Sequence, residues 1–408
     1  MLCRHCHAEL SLALIDLGSS PPSNSYLTEA ALSQPEVWYP LRVGTCTTCW
    51  LVQTHDFAQR DEFFSEDYAY FSSFSDSWLK HSAAYVAAMA DRFQLGSESL
   101  VVEVASNDGY LLQYVEARGI QALGIEPTAS TARAARAMGI EVIEEFFGTA
   151  LAQRLVDVGR PADLTAANNV LAHVPDINDF SRGFATLLKP NGVATFEFPH
   201  LLNLIEQAQF DTIYHEHYSY LSLTAIERVF AANGLSVFDV EEIPTHGGSL
   251  RVYAQRTGKG LRPVEARVPE LLARERASGV ETASFYAQLQ GQAEKTARDL
   301  SRFLIERSDA GELVVGYGAA AKGNTLLNFA GIRSHLLPWV VDRNPAKQGK
   351  FLPGSRIPIV DEAKLREKRP AYVLILPWNL RDEVMSQLAY IREWGGRFVT
   401  AIPTLTIA

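Results

Sequence analysis

Four cysteines, all near the N-terminus, constrain this chain more than any other feature. They stand as Cys3-x-x-Cys6 and Cys46-x-x-Cys49, and the 408-residue sequence contains no other thiol. Two residues between cysteines let both sulfurs of a tight knuckle face one point, so two knuckles supply the four thiolates of a tetrahedral zinc site. Two disulfides or four buried free thiols are the alternatives, and a cytosolic setting disfavours the disulfides. Four thiolates leave the metal no open position. Cys3, Cys6, Cys46 and Cys49 are therefore expected to hold a structural zinc that staples a small N-terminal domain, with His5 and His7 on its surface.

A chain of 408 residues exceeds what one core usually supports, so two to three domains are expected. The balance of 37 Lys plus Arg against 47 Asp plus Glu, with no concentrated basic stretch, argues against a nucleic-acid partner. No apolar run approaches a bilayer span, and Met1 to Cys6 lacks the apolar core of a signal peptide. A soluble, cytoplasmic protein without membrane contact is expected.

After the second knuckle, residues 50–54 read as a strand. A tyrosine-rich stretch that includes Tyr68 follows, and a helix is expected to begin near Ser75 to Ser77. From about Leu100 to Ala254, short apolar strands alternate with amphipathic helices, the pattern of a doubly wound sheet. The first strand, Leu100 to Val104, runs into Ala105-Ser106-Asn107-Asp108-Gly109, a turn of small residues that a ligand could approach closely. The next strand ends in Glu126, about twenty residues on, where nucleoside sites of α/β folds hold ribose hydroxyls. The G-x-G-x-x-G of a dehydrogenase is absent. Later strands end near Asn168 and His200, after a Lys189-Pro190-Asn191-Gly192 turn, so Asp108, Glu126, Asn168 and His200 are expected along one edge of the sheet.

This order of elements resembles the class I S-adenosylmethionine-dependent methyltransferases. Together with the zinc knuckles, Glu103 to Leu112, Ala167 to Val174 and Tyr214-His215-Glu216-His217-Tyr218-Ser219-Tyr220, the chain is similar along essentially its whole length to the deoxysugar C-methyltransferases. The broad class commonly has glycine in place of Ala105, whereas alanine is usual in the sugar family. The resemblance implies that Glu103, Ala105, Ser106, Asn107, Asp108, Gly109, Glu126, Phe147 and Asn168 line the S-adenosylmethionine site, with Asp108 toward its methionine part and Glu126 on its ribose.

Five ionisable or phenolic side chains crowd into Tyr214 to Tyr218, although the chain has only 10 histidines. Metal binding is the rival reading, but the H-E-x-x-H spacing is missing. Carbon methylation explains the cluster better. A C–H carbon is no nucleophile toward a sulfonium methyl until a base removes a proton beside a carbonyl, and imidazole titrates in the right range. The resemblance then suggests His217 as general base, assisted by Glu216 and Tyr214, with Tyr68 and His173 as further catalytic groups. His215 is expected to point away from Glu216 if the motif is extended. His200, and His246 in a Gly-Gly hairpin turn, are candidate substrate contacts.

A helical stretch, 263–311, leads to a second α/β domain. Its Gly316-Tyr317-Gly318-Ala319-Ala320-Ala321-Lys322 turn opens a helix and is a candidate diphosphate cradle through Gly318 and Lys322. A purely structural turn is the alternative. The expected domains are 1–75 (zinc), 76–257 (methyltransferase) and 258–408 (Rossmann-like). The substrate implied is a nucleoside-diphosphate 4-keto-deoxysugar, dTDP-linked by preference. An RNA methyltransferase and a non-catalytic nucleotide-binding protein are the competing readings.

Overall fold

Three β-sheets organise the described residues, which in the computed structural model are 1–55 and 71–408. The first is antiparallel and contains β1 (Leu12–Ser20), β2 (Tyr39–Thr45) and β3 (Val52–Thr54). β3 starts later than the sequence suggested because Trp50 has φ 62°, a left-handed knuckle residue that cannot extend a strand. Helix α1 (Asp76–Phe93) begins where expected. Ser75 caps it by accepting from the Trp78 N–H at 3.3 Å, and Gln94, at φ 53°, ends it.

The central unit alternates β4 (Leu100–Val104), α2 (Leu112–Glu116), β5 (Gln121–Ile125), α3 (Ala129–Ala137), β6 (Val142–Ile143), α4 (Thr149–Asp157), β7 (Ala162–Asn168), α5 (Ile177–Leu187), β8 (Leu188–Pro199) and α6 (Leu201–Glu206). Then come β9 (Ser219–Tyr220), α7 (Leu223–Ala232), β10 (Leu235–Ile243) and β11 (Ser249–Arg256). Seven strands form the sheet in the order β10-β11-β8-β7-β4-β5-β6, with β11 alone antiparallel to its neighbours. This is the class I methyltransferase topology. Helices cover both faces, so β4 is buried throughout and its sequence lacks polar alternation. Strand order reverses between β4 and β7, and the carboxyl ends of such strands open a ligand crevice.

Two details depart from the sequence reading. The Lys189-to-Gly192 turn lies inside β8: Ala162 pairs with Leu188 and Leu164 with Val193, so the intervening residues loop out as a bulge. β9 leaves the central unit altogether and pairs with β3, completing the first sheet.

Helices α8 (Arg267–Ser278), α9 (Ala283–Tyr286) and α10 (Leu289–Asp309) follow. α8 buries Val268 and Leu271 in the core of the central unit. The third sheet collects β12 (Val314–Tyr317), β13 (Val340–Val341), β14 (Ile359–Val360), β15 (Tyr372–Ile375), β16 (Arg397–Thr400) and β17 (Thr406–Ile407) in the order β14-β13-β12-β15-β16-β17. It is parallel except for β17, and helix α11 (Ala321–Phe329) follows β12. Leu14 and Val43 of the first sheet share a core with Leu326 and Leu374 of this Rossmann-like unit. No helix among the described residues is long and apolar enough to cross a membrane.

Candidate active site

The two knuckles bring the four cysteine sulfurs within 4.8 Å of one another. Cys3 and Cys49 are 3.6 Å apart and Cys6 and Cys46 3.5 Å, near the edge of about 3.8 Å set by tetrahedral zinc–sulfur bonds of about 2.3 Å. Gln53 donates to the Cys3 sulfur at 3.2 Å, an outer contact typical of metal thiolates. The donor set fits a closed, structural zinc.

At the crevice, the turn after β4 is strained. Ala105 (φ 59°) and Asn107 (φ 49°) both lie in the left-handed region, at a cost of about 1 kcal/mol each. Their N–H groups are already taken. Ala105 donates to the Ile125 carbonyl at 2.8 Å and Asn107 to Glu126 Oε2 at 3.0 Å, while Thr128 donates to Glu126 Oε1 at 2.9 Å. The turn is thus not an anion cradle; it presents acceptors. Ser106 Oγ, Asp108 Oδ1 and Asn168 Oδ1 are buried without hydrogen-bond partners, as is Asn169 Oδ1 beside them. Burial raises Glu103 well above the usual carboxylate range, against the Tyr110 hydroxyl and with the help of the Asp108 and Glu126 charges. Burial also raises Glu126, despite its backbone donors. A Cβ on Gly124 would lie 2.4 Å from Ser106 Oγ, so that close approach requires glycine. Buried acceptors awaiting donors suit a ligand that is cationic and rich in hydroxyls. Gly109 closes the turn at φ 82°. Phe147 packs edge-on against Phe180 and Phe184 at 5.6 and 4.8 Å.

The Tyr214-to-Tyr218 motif sits in the loop before β9. His217 Nδ1 donates to the Thr212 carbonyl at 2.8 Å, leaving Nε2 with the lone pair. Burial, then the neighbouring His173, Lys322 and His246, push its pKa well below the imidazole range. Tyr214 lies against it, ring centroids 3.9 Å apart, and His173 edge-on at 4.6 Å. His173 Nδ1 donates to the Glu216 carbonyl at 2.8 Å, and burial lowers its pKa to about 4. Glu216 accepts from Asn24 Nδ2 at 3.2 Å on Oε1, its Oε2 is buried without a partner, and burial raises its pKa. His215 reaches the carbonyl of Tyr39 in the first sheet at 3.2 Å. Tyr68 falls within 56–70, outside the described residues.

His246, at φ 56°, meets Trp78 edge-on at 5.4 Å, and burial takes its pKa to about 4. Lys322 donates to Asn379 Oδ1 at 2.7 Å and lies 4.7 Å above the Trp378 ring. In the Gly318 turn, the N–H groups of Gly318 and Ala319 are used by Val341 O at 2.7 Å and Asp342 Oδ2 at 2.8 Å, so they are not open to a phosphate. Gly318 has φ 87° with Pro377 against it.

His200 departs from its expected role. Its Nε2 bonds to Glu275 of α8 at 2.7 Å and it is 1% exposed, so it braces α8 against the central unit and offers no face to a substrate. Sequence reasoning missed Asn24, Thr54, Asp211, Thr325 and Trp378. Each touches the motif or its loop from more than a hundred residues away or through an unremarkable turn, and no local pattern marks them.

Comparison with known proteins accounts for each part. Family models match at 3–64 (zinc binding domain), 78–240 (methyltransferase domain) and 244–403 (C-methyltransferase C-terminal domain). The C-methyltransferase NovU of Streptomyces niveus is 33% identical over 401 residues, covering 98% of this chain and 95% of that one. Solved structures with likeness to 44% of this chain include the magnesium protoporphyrin IX methyltransferase of Synechocystis PCC 6803 with bound SAM, at 17% identity, 78% of that chain and TM-score 0.32. A methyltransferase from Clostridium acetobutylicum ATCC 824 is similar over 44% of this chain and 92% of its own, at 11% identity and TM-score 0.37. Matched from the zinc knuckles to the last sheet, this chain belongs to the S-adenosylmethionine-dependent C-methyltransferases with an N-terminal zinc-binding domain.

Proposed function

We propose that the protein methylates the carbon beside the keto group of a nucleoside-diphosphate 4-keto-deoxysugar by way of an enolate. The observation that carries this reading is the hydrogen bond from His217 Nδ1 to the Thr212 carbonyl, which leaves Nε2 as a lone-pair base. A depressed pKa keeps that base unprotonated at neutral pH but makes it weak. It therefore suits a C–H that an adjacent carbonyl has already acidified.

His217 Nε2 takes the proton, and the C–H electron pair moves toward the carbonyl oxygen as the enolate. Glu216, which burial biases toward its protonated form, and the Tyr214 hydroxyl would donate to that oxygen. His173 packs against the base and joins it to the Glu216 backbone, and Tyr68 remains a proposed partner. When bound, S-adenosylmethionine would supply the electrophilic methyl group for the new C–C bond, its sulfonium becoming a thioether. Ser106, Asp108 and Asn168 would hold this donor, whose ammonium and hydroxyls match their open acceptors, with Glu126 toward its ribose and Glu103, Ala105, Asn107, Gly109 and Phe147 shaping the crevice. His246 and Lys322 would face the sugar nucleotide, and the Gly318 turn would serve to set the start of α11 rather than to cradle a phosphate. The division 1–75, 76–257 and 258–408 then separates the metal staple, the donor site and the nucleotide side.

A His217→Asn variant should bind S-adenosylmethionine in calorimetry as the wild type does, yet fail to wash deuterium from heavy water into a dTDP-linked 4-keto-6-deoxyhexose. Wild-type exchange in that variant removes His217 as base.

A further inference from the structure

The loop that carries the base belongs to the central unit, but its fastening lies elsewhere. Asp211 Oδ2 accepts from the indole Nε1 of Trp378 at 2.8 Å. Two residues on, the Ile213 carbonyl accepts from Thr325 Oγ1 at 2.8 Å. Between them stands Thr212, whose carbonyl holds His217 Nδ1 at 2.8 Å. Three consecutive residues thus divide the work: the outer two are pinned by the C-terminal unit and the middle one orients the imidazole.

Both pins are fixed in their turn. Thr325 is 2% exposed on α11, the helix that the Gly318 turn opens. The Trp378 ring is wedged against the hairpin turn of the central unit, where a Cβ on Gly247 would come within 2.4 Å of it, and the Lys322 ammonium lies 4.7 Å above its face. Thr325 acts on the Ile213 carbonyl and Trp378 on the Asp211 carboxylate, the two residues that flank Thr212.

We propose that Thr325 and Trp378 are positioning residues that set the reach and tautomer of His217. The proposal rests on the reading of His217 as base. A general base must sit within about 2.6–3.2 Å of its proton, and a displacement of about 1 Å can cost on the order of a hundredfold in rate. Lys322 and the Thr325 pin share α11, so a substrate group held by Lys322 and the base would be referenced to the same rigid element.

The test uses full-length, zinc-loaded protein labelled with nitrogen-15 histidine and needs no substrate. The His217 imidazole signals, assigned by their loss in His217→Asn, should show the Nδ1–H tautomer in the wild type. Thr325→Val, which keeps shape and deletes the hydroxyl, and Trp378→Phe, which deletes the indole N–H, should each show loss of that single tautomer, while Thr325→Ser should restore it. Deuterium exchange into the dTDP-linked ketohexose should fall at least about tenfold in the first two with the donor dissociation constant unchanged. Retention of the wild-type tautomer in both Thr325→Val and Trp378→Phe overturns the proposal, as does a Thr325→Ser variant as disturbed as the valine. The base reading is judged separately, by exchange in His217→Asn. Loss there together with an unmoved tautomer in the pin variants sinks the positioning alone.

Discussion

His246 illustrates how burial at single residues sets the acid response of this protein. Its folded pKa is about 4, against about 6.5 when unfolded. Between those values the unfolded imidazole holds a proton that the folded one refuses, so its contribution to stability is complete above pH 6.5 and is lost as the pH falls toward 4. Asp211, raised to about 7 by burial, works in the opposite sense, so the comparison must be with a variant and not across pH alone. A His246→Asn variant should gain on the wild type as the pH falls from 6.5 to 4, approaching about 3 kcal/mol, in urea melts at matched pH. A gap independent of pH would show that the imidazole titrates normally. At this scale the sequence was legible where chemistry is local. The small-residue turn, Glu126 and the His-Glu-His cluster announce themselves by type and spacing. The hydrogen bond that decides which nitrogen of His217 is the base does not, because its acceptor is a backbone carbonyl with no side-chain signature.

Among the elements, α8 shows how a helix outside the sheet can hold a site in place. Glu275, 0% exposed, reaches from α8 to accept from the N–H groups of Leu223 and Thr224 at 2.7 and 2.8 Å, capping α7 from another element. It also accepts from the Thr224 hydroxyl at 2.6 Å and His200 Nε2 at 2.7 Å. Removing one member of such a buried set leaves the others unpaired. Glu275→Ala should therefore destabilise by about 3 kcal/mol or more in chemical denaturation. His200→Ala in that background should add less than it costs alone, since the two share one interaction. Strict additivity would mean that the contact contributes nothing. The sequence reading took His200 for a substrate group because it ends a strand at the ligand edge, a sound rule that a carboxylate 75 residues away overrides. Parallel strands such as β15 were readable because a short continuous apolar run bounded by turn residues matches a strand buried on both faces. β9 was not: two residues carry no period, and its partner β3 is far back in the chain.

Across the whole molecule, the base motif is where the three sheets meet. The first sheet supports it through Thr54, whose hydroxyl donates to the His217 carbonyl at 3.0 Å and whose N–H donates to the Tyr218 carbonyl at 3.1 Å. Asn24 adds the contact to Glu216. Arg4, inside the first knuckle, donates to the carbonyls of Pro175 and Thr54 at 3.0 and 3.2 Å, tying the metal site to the same brace. The zinc ligand Cys3 stands one residue from Arg4, the strut that holds Thr54 and through it the base motif. This separates two readouts that are usually lost together. Cys49→Ser should lower zinc content and cut kcat by about tenfold or more through the loosened Thr54 brace. Its affinity for S-adenosylmethionine should stay near the wild-type value, because the open acceptors on Ser106, Asp108 and Asn168 make no hydrogen bond to the knuckles, although Cys3, Cys46 and Cys49 pack in the same core as β4, β5 and β7. Metal analysis, steady-state rates and donor calorimetry on one preparation check this. If donor affinity collapses in step with kcat, the zinc supports the central sheet as a whole and the brace has no separate role.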